Sequence, residues 1–221
     1  MNLPNKLTIF RIILVPVIML VYGFEPLRNQ WVLYPSLSLA NFVILILFII
    51  ASLTDYFDGK IARRNNMVTD FGKFLDPVAD KLLVFTLLLI LMDQNKYYQI
   101  KSGESAVLIE WWMIAILLTR EFLVTALRLI AAGKGKVLAS VWHGKLKTVI
   151  QMGTIIIMLL GCAVVRLEDG TFNVLSNRMG YKIFVQILIY IMLLVSIFSG
   201  ADYLIKNKEV LLDNKSSKKK R

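Results

Sequence analysis

The 221-residue chain is 57% hydrophobic, has a mean hydropathy of +0.65 and carries a formal net charge of +11. This apolar share exceeds that of a typical soluble domain and predicts a single integral membrane domain. The single cysteine, Cys162, excludes a framework of intrachain disulfides.

Six apolar runs follow one another along the chain, at residues 8–23, 36–62, 74–92, 106–131, 148–165 and 181–204. Each is near the length of about 20 residues that spans hydrocarbon, and a segment in lipid must satisfy its own backbone hydrogen bonds. We therefore expect an all-α, polytopic membrane protein with six transmembrane helices. The first run lacks a convincing small-residue cleavage site and is interpreted as a permanent helix, with residues 2–8 lying along the interface before it.

The distribution of lysine and arginine predicts which side of the membrane holds the termini. An even number of spans places both termini on one side, and basic residues crowd the turns on that side at 60–73 and 134–147. The positive-inside rule makes this side cytoplasmic. Residues 1–205 then form the membrane domain, and residues 206–221 form a basic cytoplasmic tail. We expect this tail to be attracted to anionic lipid and not to nucleic acid.

Four carboxylates lie between the second and third runs, at the predicted cytoplasmic edge. The sequence there reads Asp55-x-x-Asp58-Gly59-x-x-Ala62-Arg63, then eight residues, then Gly72-x-x-x-Asp76-x-x-x-Asp80. If both halves are helical, each places its acids on one stripe, because residues three, four and seven apart share a face. Clustered carboxylates near lipid are costly, and bound cations reduce that cost; oxygen ligands favour a hard ion such as Mg²⁺, Mn²⁺ or Ca²⁺. The small residues beside the acids leave room for a phosphate-bearing ligand.

This signature resembles that of the CDP-alcohol phosphotransferases, integral membrane enzymes that move a phosphatidyl or similar group from a CDP-linked donor to an alcohol. The resemblance implies two bound Mg²⁺ ions, with Mn²⁺ as an alternative, held by Asp55, Asp58, Asp76 and Asp80. It assigns Asp80 as the base that takes the acceptor proton, although Asp80 acting mainly as a metal ligand stays open. The resemblance also implies a CDP-diacylglycerol site formed by Asn5, Thr8, Asp58, Gly59, Ala62, Arg63 and Gly72.

The N-terminal residues of that donor site have a second interpretation. Asn5 and Thr8, with Arg11, either bind the nucleotide or a phosphate, or simply form a helix start with a snorkelling arginine. Pro77 lies between two of the acids and is expected to bend its helix or to lie in the first turns.

Basic residues of the fourth and fifth runs are the candidates for the acceptor site: Arg120, Arg128, Lys145 and Lys147. Arginine within a membrane span usually marks a function or an ion pair, and for Arg120 an acid on a neighbouring helix is the alternative. Cationic side chains that bind phosphate favour an acceptor that carries its own phosphate.

Further segments resemble the members of the family that use sn-glycerol 3-phosphate, among them Leu75-Asp76-Pro77-x-Ala79-Asp80-Lys81 and Gly144-Lys145-x-Lys147-Thr148. The resemblance therefore implies transfer of phosphatidyl from CDP-diacylglycerol to glycerol 3-phosphate, with release of CMP, in a bacterial cell membrane. It also implies a homodimer among membrane lipids. Inositol phosphate or serine as the acceptor, an intramembrane prenyltransferase, and an ion transporter remain alternatives.

Overall fold

A computed structural model describes residues 3–29, 31–33, 37–64, 70–102, 109–134, 142–161, 164–166, 172–174 and 179–208. Six helices of 20 residues or more account for most of this part of the chain: α1 (Leu3–Gly23), α3 (Leu39–Arg64), α4 (Asp70–Ser102), α5 (Trp111–Gly133), α6 (Trp142–Gly161) and α7 (Met179–Lys206). A short helix, α2 (Glu25–Asn29), follows α1. The prediction of an all-α fold is confirmed for the long elements of the described chain.

Two small strand pairs accompany the helices. Strand β1 (Trp31–Leu33) pairs antiparallel with β2 (Leu37–Ser38), and β3 (Val164–Arg166) pairs antiparallel with β4 (Phe172–Val174). Each strand has only two or three residues, so the pairs serve as connections between helices and not as a sheet layer.

Two of the described helical segments are long and apolar enough to cross a membrane, Asn5–Gly23 and Gly180–Lys206. A shorter apolar segment, Leu39–Thr54, begins α3. Large apolar side chains are exposed along these and other helices, including Leu20, Phe122 and Phe198. Exposed apolar surface of this extent is typical of contact with lipid and indicates a membrane protein. The prediction of six spans is not confirmed, because only these two of the described segments have the length and composition of a span.

The chain divides into two compact units, residues 1–109 with 155–186 and residues 110–154 with 187–221. In the first unit, α1 packs against both α3 and α4. The start of α3 is capped by Ser38, whose hydroxyl accepts a hydrogen bond from the backbone N–H of Asn41 at 3.2 Å. In the second unit, the buried side chains of Val124, Leu127 and Tyr203 form a core cluster between α5 and α7.

The beginning of α1 differs from the expectation of a separate interfacial segment. The helix starts at Leu3 and is continuous to Gly23, so Asn5 and Thr8 lie inside it. Pro4 occupies the first turn, where the missing N–H has no intrahelical partner to lose. Pro77 lies inside α4, about two turns after its first residue, Asp70, and the expectation of a bend or of a place in the first turns stays a prediction. The tail beyond residue 208 lies outside the described residues, and the division at 205 stays a prediction.

Candidate functional site

Three polar side chains of α1 are buried where this helix packs on its neighbours. Asn5, Thr8 and Arg11 are spaced three residues apart, which places them along one face of the helix. The same face continues with the buried apolar residues Leu14 and Ile18. Polar groups are costly to bury without polar partners, so the polar half of this face is expected to meet polar groups of the helices against which α1 packs.

Arg11 and Asp80 form an ion pair between α1 and α4, in which the guanidinium donates to the carboxylate. The Arg11 side chain is only 1% exposed, whereas that of Asp80 is 48% exposed. A buried cation thus orients a carboxylate that remains accessible from outside. Such a carboxylate is able to accept a proton or to coordinate a cation.

The other predicted metal ligands are known at the level of the backbone only. Asp55 and Asp58 lie in the helical part of α3, and Asp76 lies one turn before Asp80 in α4. The helical prediction for both halves of the motif is therefore confirmed. The side chains of Asp55, Asp58 and Asp76 lie outside what the structure describes. At the predicted donor-site residues Gly59, Ala62, Arg63 and Gly72 only the helical backbone is described. Whether the four carboxylates converge stays a prediction.

Asp80 has the chemistry that a hard divalent cation requires. It offers an accessible, anionic oxygen donor, and the helical register of α4 puts Asp76 on the same face one turn away. Among the described side chains, no three or more Asp, Glu, His or Cys residues come together in one group. Of the four aspartates of the acidic motif, only Asp80 has a described side chain. The oxygen chemistry of Asp80 thus fits one ligand of a divalent cation, and the four-carboxylate metal site stays a prediction.

A second cluster of polar groups joins three helices of the other unit, and we call it the Arg120 cluster: Arg120, Glu121, Lys147 and Ser199. The carboxylate oxygen Oε1 of Glu121 accepts from the ammonium of Lys147 and, at 3.3 Å, from Nη1 of Arg120. Nη2 of Arg120 donates to the hydroxyl of Ser199 at 2.6 Å. One carboxylate thus holds two cationic side chains side by side.

The cations of this cluster are largely removed from solvent. The Lys147 side chain is 3% exposed and that of Arg120 is 11% exposed. Nε of Arg120 is buried and makes no hydrogen bond to any described group. A buried donor in this state is costly, and an anionic ligand would supply the acceptor.

The four predicted acceptor-site cations differ in their contacts. Arg120 and Lys147 share Glu121, and Arg128 is near enough to Arg120 for their charges to interact. Nε of Arg128 donates to the hydroxyl of Tyr203 at 3.2 Å, and its guanidinium lies 5.4 Å from the centre of that ring. Lys145 is exposed on α6. Among the described side chains, the acid that Arg120 contacts is Glu121, the next residue of its own helix, and the alternative of an acid on a neighbouring helix stays a prediction.

Several residues that contact the predicted cations were not predicted as site residues. Glu121 follows Arg120 in the chain, and its adjacency was the one available signal. Ser199 and Tyr203 lie four residues apart on α7, a spacing that shares a face but says nothing about which helix that face meets. Their role depends on how α7 packs against α5.

A cavity of about 410 Å³ lies between α5 and α7, with mostly apolar walls that include Ile116, Leu123 and Ile197. Arg120 and Thr119 are its polar lining residues. The apolar walls suit hydrocarbon better than a small polar acceptor, so the polar contacts of Arg120, and not this cavity, mark the candidate anion site.

Comparison with known proteins gives one consistent result. A family model described as CDP-alcohol phosphatidyltransferase matches residues 1–198. A Bacillus subtilis (strain 168) protein named CDP-diacylglycerol–glycerol-3-phosphate 3-phosphatidyltransferase is 38% identical over 216 residues, which are 95% of this chain and 97% of that protein.

Proteins with the same name in two other bacteria are also similar to this chain. The one from Rickettsia typhi (strain ATCC VR-144 / Wilmington) is 36% identical over 203 residues, 91% of this chain and 94% of that protein. The one from Escherichia coli (strain K12) is 36% identical over 156 residues, 68% of this chain and 72% of that protein. The family match includes Arg11, Asp80, Arg120 and Lys147, and it ends just before Ser199.

Proposed function

Because the chain belongs to the CDP-alcohol phosphatidyltransferase family, we propose that it transfers the phosphatidyl group of CDP-diacylglycerol to sn-glycerol 3-phosphate. The products are phosphatidylglycerophosphate and CMP. The names of relatives that match most of the chain support this choice of donor and acceptor. The observation that carries the chemistry is the accessible carboxylate of Asp80, oriented by the buried Arg11.

Asp80 is the general base of the proposed reaction. It takes the proton of the attacking glycerol 3-phosphate hydroxyl as that oxygen forms a bond to the phosphorus of the phosphatidyl group. The bond between this phosphorus and the CMP oxygen breaks, and CMP leaves with the electron pair. Arg11 keeps the Asp80 carboxylate in place because its guanidinium is held inside the packing of α1.

The family is divalent-metal dependent, and Asp55, Asp58, Asp76 and Asp80 would hold the ions, two Mg²⁺ or Mn²⁺ by our proposal. When bound, they neutralise charge on the diphosphate and on the leaving CMP. Gly59, Ala62, Arg63 and Gly72, with Asn5 and Thr8 of α1, would form the donor site around them. The burial of Asn5 and Thr8 on the face that also carries Arg11 supports their part in this site.

The acceptor phosphate binds to the Arg120 cluster by our proposal. Arg120 and Lys147 both donate to one anionic group, the carboxylate of Glu121, so their donors lie close enough to bind one phosphate. The guanidinium fork of an arginine also matches the geometry of phosphate oxygens. Arg128 is near enough to Arg120 for their charges to interact and adds to the positive field of this site, although its Nε donates to Tyr203. Lys145 is exposed and acts through the general positive field. The cytoplasmic position of the site, six membrane spans and a homodimer belong to the same proposal.

The test is the identity of the products. Purified protein in lipid with Mg²⁺, CDP-diacylglycerol and an equimolar mixture of glycerol 3-phosphate, inositol phosphate and serine should release CMP and form phosphatidylglycerophosphate. Removal of divalent ions by chelation should stop CMP release, and Mg²⁺ should restore it. A lipid product that contained inositol phosphate or serine would refute the acceptor, and CMP release without any divalent ion would refute the metal requirement.

The family match argues against an intramembrane prenyltransferase and against an ion transporter. Both alternative activities can be tested with the same purified protein. A prenyl diphosphate donor should yield no product, and liposomes that contain the protein should show no ion flux on addition of Mg²⁺.

A further inference from the structure

The stem of Arg120 is packed directly against the backbone of α7 at Gly200. A Cβ atom placed on Gly200 would lie 2.8 Å from Cγ of Arg120, 3.8 Å from its Cβ and 3.9 Å from its Nε. Carbon atoms in contact prefer separations of about 3.5–4.0 Å. Any side chain at position 200 would therefore displace the Arg120 stem or the helix that faces it.

The residue before Gly200 fixes the other end of the same side chain. Ser199 is buried, and its hydroxyl accepts from Nη2 of Arg120 at 2.6 Å. Two consecutive residues of α7 therefore determine the position of both the stem and the head of Arg120. Both lie beyond residue 198, where the family match ends.

We propose that Gly200, together with Ser199, is a positioning residue for the acceptor phosphate, because it sets the place and direction of the Arg120 guanidinium. This inference rests on the proposed function, in which Arg120 binds that phosphate. Neither residue touches the substrate by this account; both act through Arg120. Correct placement matters because an arginine fork binds phosphate through directed hydrogen bonds, and an error of about 1 Å can cost up to about 10²-fold in rate.

The hydrogen bonding of the Arg120 guanidinium argues against a purely structural role for this contact. Nη1 and Nη2 have protein acceptors, whereas the buried Nε has none among the described groups. Helix packing alone would be served better by an apolar side chain at position 120, which has no donor to satisfy. The contacts at both the stem and the head of Arg120 indicate that the orientation of its guanidinium matters for ligand binding.

The decisive variant is Gly200→Ala, and Gly153→Ala on α6 is its matched control. Both replacements add one methyl group to a helix and both raise helix propensity, but a Cβ at Gly153 meets nothing within 4 Å. Gly200→Ala should raise KM for glycerol 3-phosphate about tenfold, equivalent to about 1.4 kcal/mol. KM for CDP-diacylglycerol should not change, and Gly153→Ala should match the unmodified chain in both constants.

Ser199→Ala provides a second test that adds no bulk. It removes the acceptor for Nη2 and should raise KM for glycerol 3-phosphate several-fold, again without a change in KM for CDP-diacylglycerol. If Gly200→Ala does not fold, the Ser199→Ala result decides alone. Unchanged KM for glycerol 3-phosphate in the folded variants, or an equal rise in both KM values, would overturn the positioning role.

The same assay separates the two proposals. If the unmodified chain makes phosphatidylglycerophosphate but the α7 variants keep its KM for glycerol 3-phosphate, only the positioning role fails. If the unmodified chain releases no CMP with glycerol 3-phosphate, the proposed function fails and the positioning role fails with it.

Discussion

The guanidinium of Arg11 is ion-paired with the carboxylate of Asp80, although the two residues are 69 positions apart in the sequence. The pair joins the N-terminal part of α1 to the site that the acidic motif defines on α4. Its two members differ in exposure, since Arg11 is enclosed by protein and Asp80 is about half exposed. If the proposed function holds, the first helix therefore contributes to the catalytic centre and does not only anchor the chain.

Replacement of Arg11 tests this contribution. Arg11→Met keeps an unbranched side chain of moderate length in the buried position but removes the charge and the hydrogen bond to Asp80. A hydrogen bond to a charged group contributes about 1.5–3 kcal/mol. If that energy orients the base, kcat for CMP release should fall about 10- to 100-fold, since each 1.4 kcal/mol is about tenfold in rate.

The matched control for this variant is Lys6→Met, because Lys6 lies on the same helix but is exposed. It should leave kcat within about twofold, as expected for a surface charge. Wild-type kcat in Arg11→Met would show that the ion pair does not orient the base.

Asp80→Asn separates the two roles that the sequence leaves open for this residue. The amide keeps the shape and an oxygen acceptor for Arg11, but it cannot take a proton. Loss of a general base should lower kcat by about 10²- to 10⁴-fold even at saturating Mg²⁺. A steep rise in the Mg²⁺ requirement, with most of kcat restored at saturating Mg²⁺, would assign Asp80 to metal binding alone.

A suitable control for Asp80→Asn lies on the same helix. Asp93 accepts a hydrogen bond from the hydroxyl of Tyr22 at 2.6 Å and is exposed. Asp93→Asn removes one carboxylate from α4 as well, yet it should change neither kcat nor the Mg²⁺ requirement, because this residue follows Asp80 by more than three helical turns.

The positions of the long helices could be predicted from the sequence because each contains a long apolar run. Their ends could not. The run that begins at residue 8 starts five residues after α1 does, because the polar residues Asn5 and Lys6 precede it. Asn5 is buried all the same, as are Thr8 and Arg11 at a spacing of three. Hydropathy scores them as surface, and only the packing of α1 on α3 and α4 reveals them as an interior face.

The candidate site was predictable to a similar extent. Asp80, Arg120 and Lys147 could be named from their residue types and motif, but their partners could not. Glu121 joins two of the predicted cations because α5 and α6 meet there, and the local sequence contains no signal for that meeting. The contact between Arg120 and Gly200 depends likewise on the approach of α7.

Lys147 and Lys145 offer a direct comparison within one helix. The first is buried and contacts Glu121, and the second is exposed. Lys147→Met should raise KM for glycerol 3-phosphate about 10- to 100-fold, because a charge-assisted hydrogen bond to phosphate is lost in a site with little solvent screening. Lys145→Met should change this KM by about twofold or less at physiological ionic strength, where exposed charges are screened beyond about 8 Å. Equal effects of the two variants would mean that the acceptor responds only to the overall positive field.

Glu121→Gln tests what the shared carboxylate does before the acceptor arrives. The amide keeps an oxygen in the same place, so Arg120 and Lys147 retain an acceptor, but the negative charge between them is lost. In the absence of ligand the two cations then repel each other with less compensation, and the Tm of the protein should fall. A bound phosphate replaces the lost charge and no longer faces a nearby carboxylate. At an effective dielectric constant of about 20, two like charges about 6 Å apart repel by about 3 kcal/mol.

Glycerol 3-phosphate should therefore raise the Tm of Glu121→Gln by more than it raises the Tm of the unmodified chain, and KM for this acceptor should not increase. Differential scanning of both proteins in the same lipid, with and without glycerol 3-phosphate, measures the two shifts. Inorganic phosphate serves as the control ligand, because it presents the same charge without the glycerol. A smaller ligand-induced shift together with a higher KM would show that Glu121 acts by holding the cations in place, and that its charge does not compete with the acceptor phosphate.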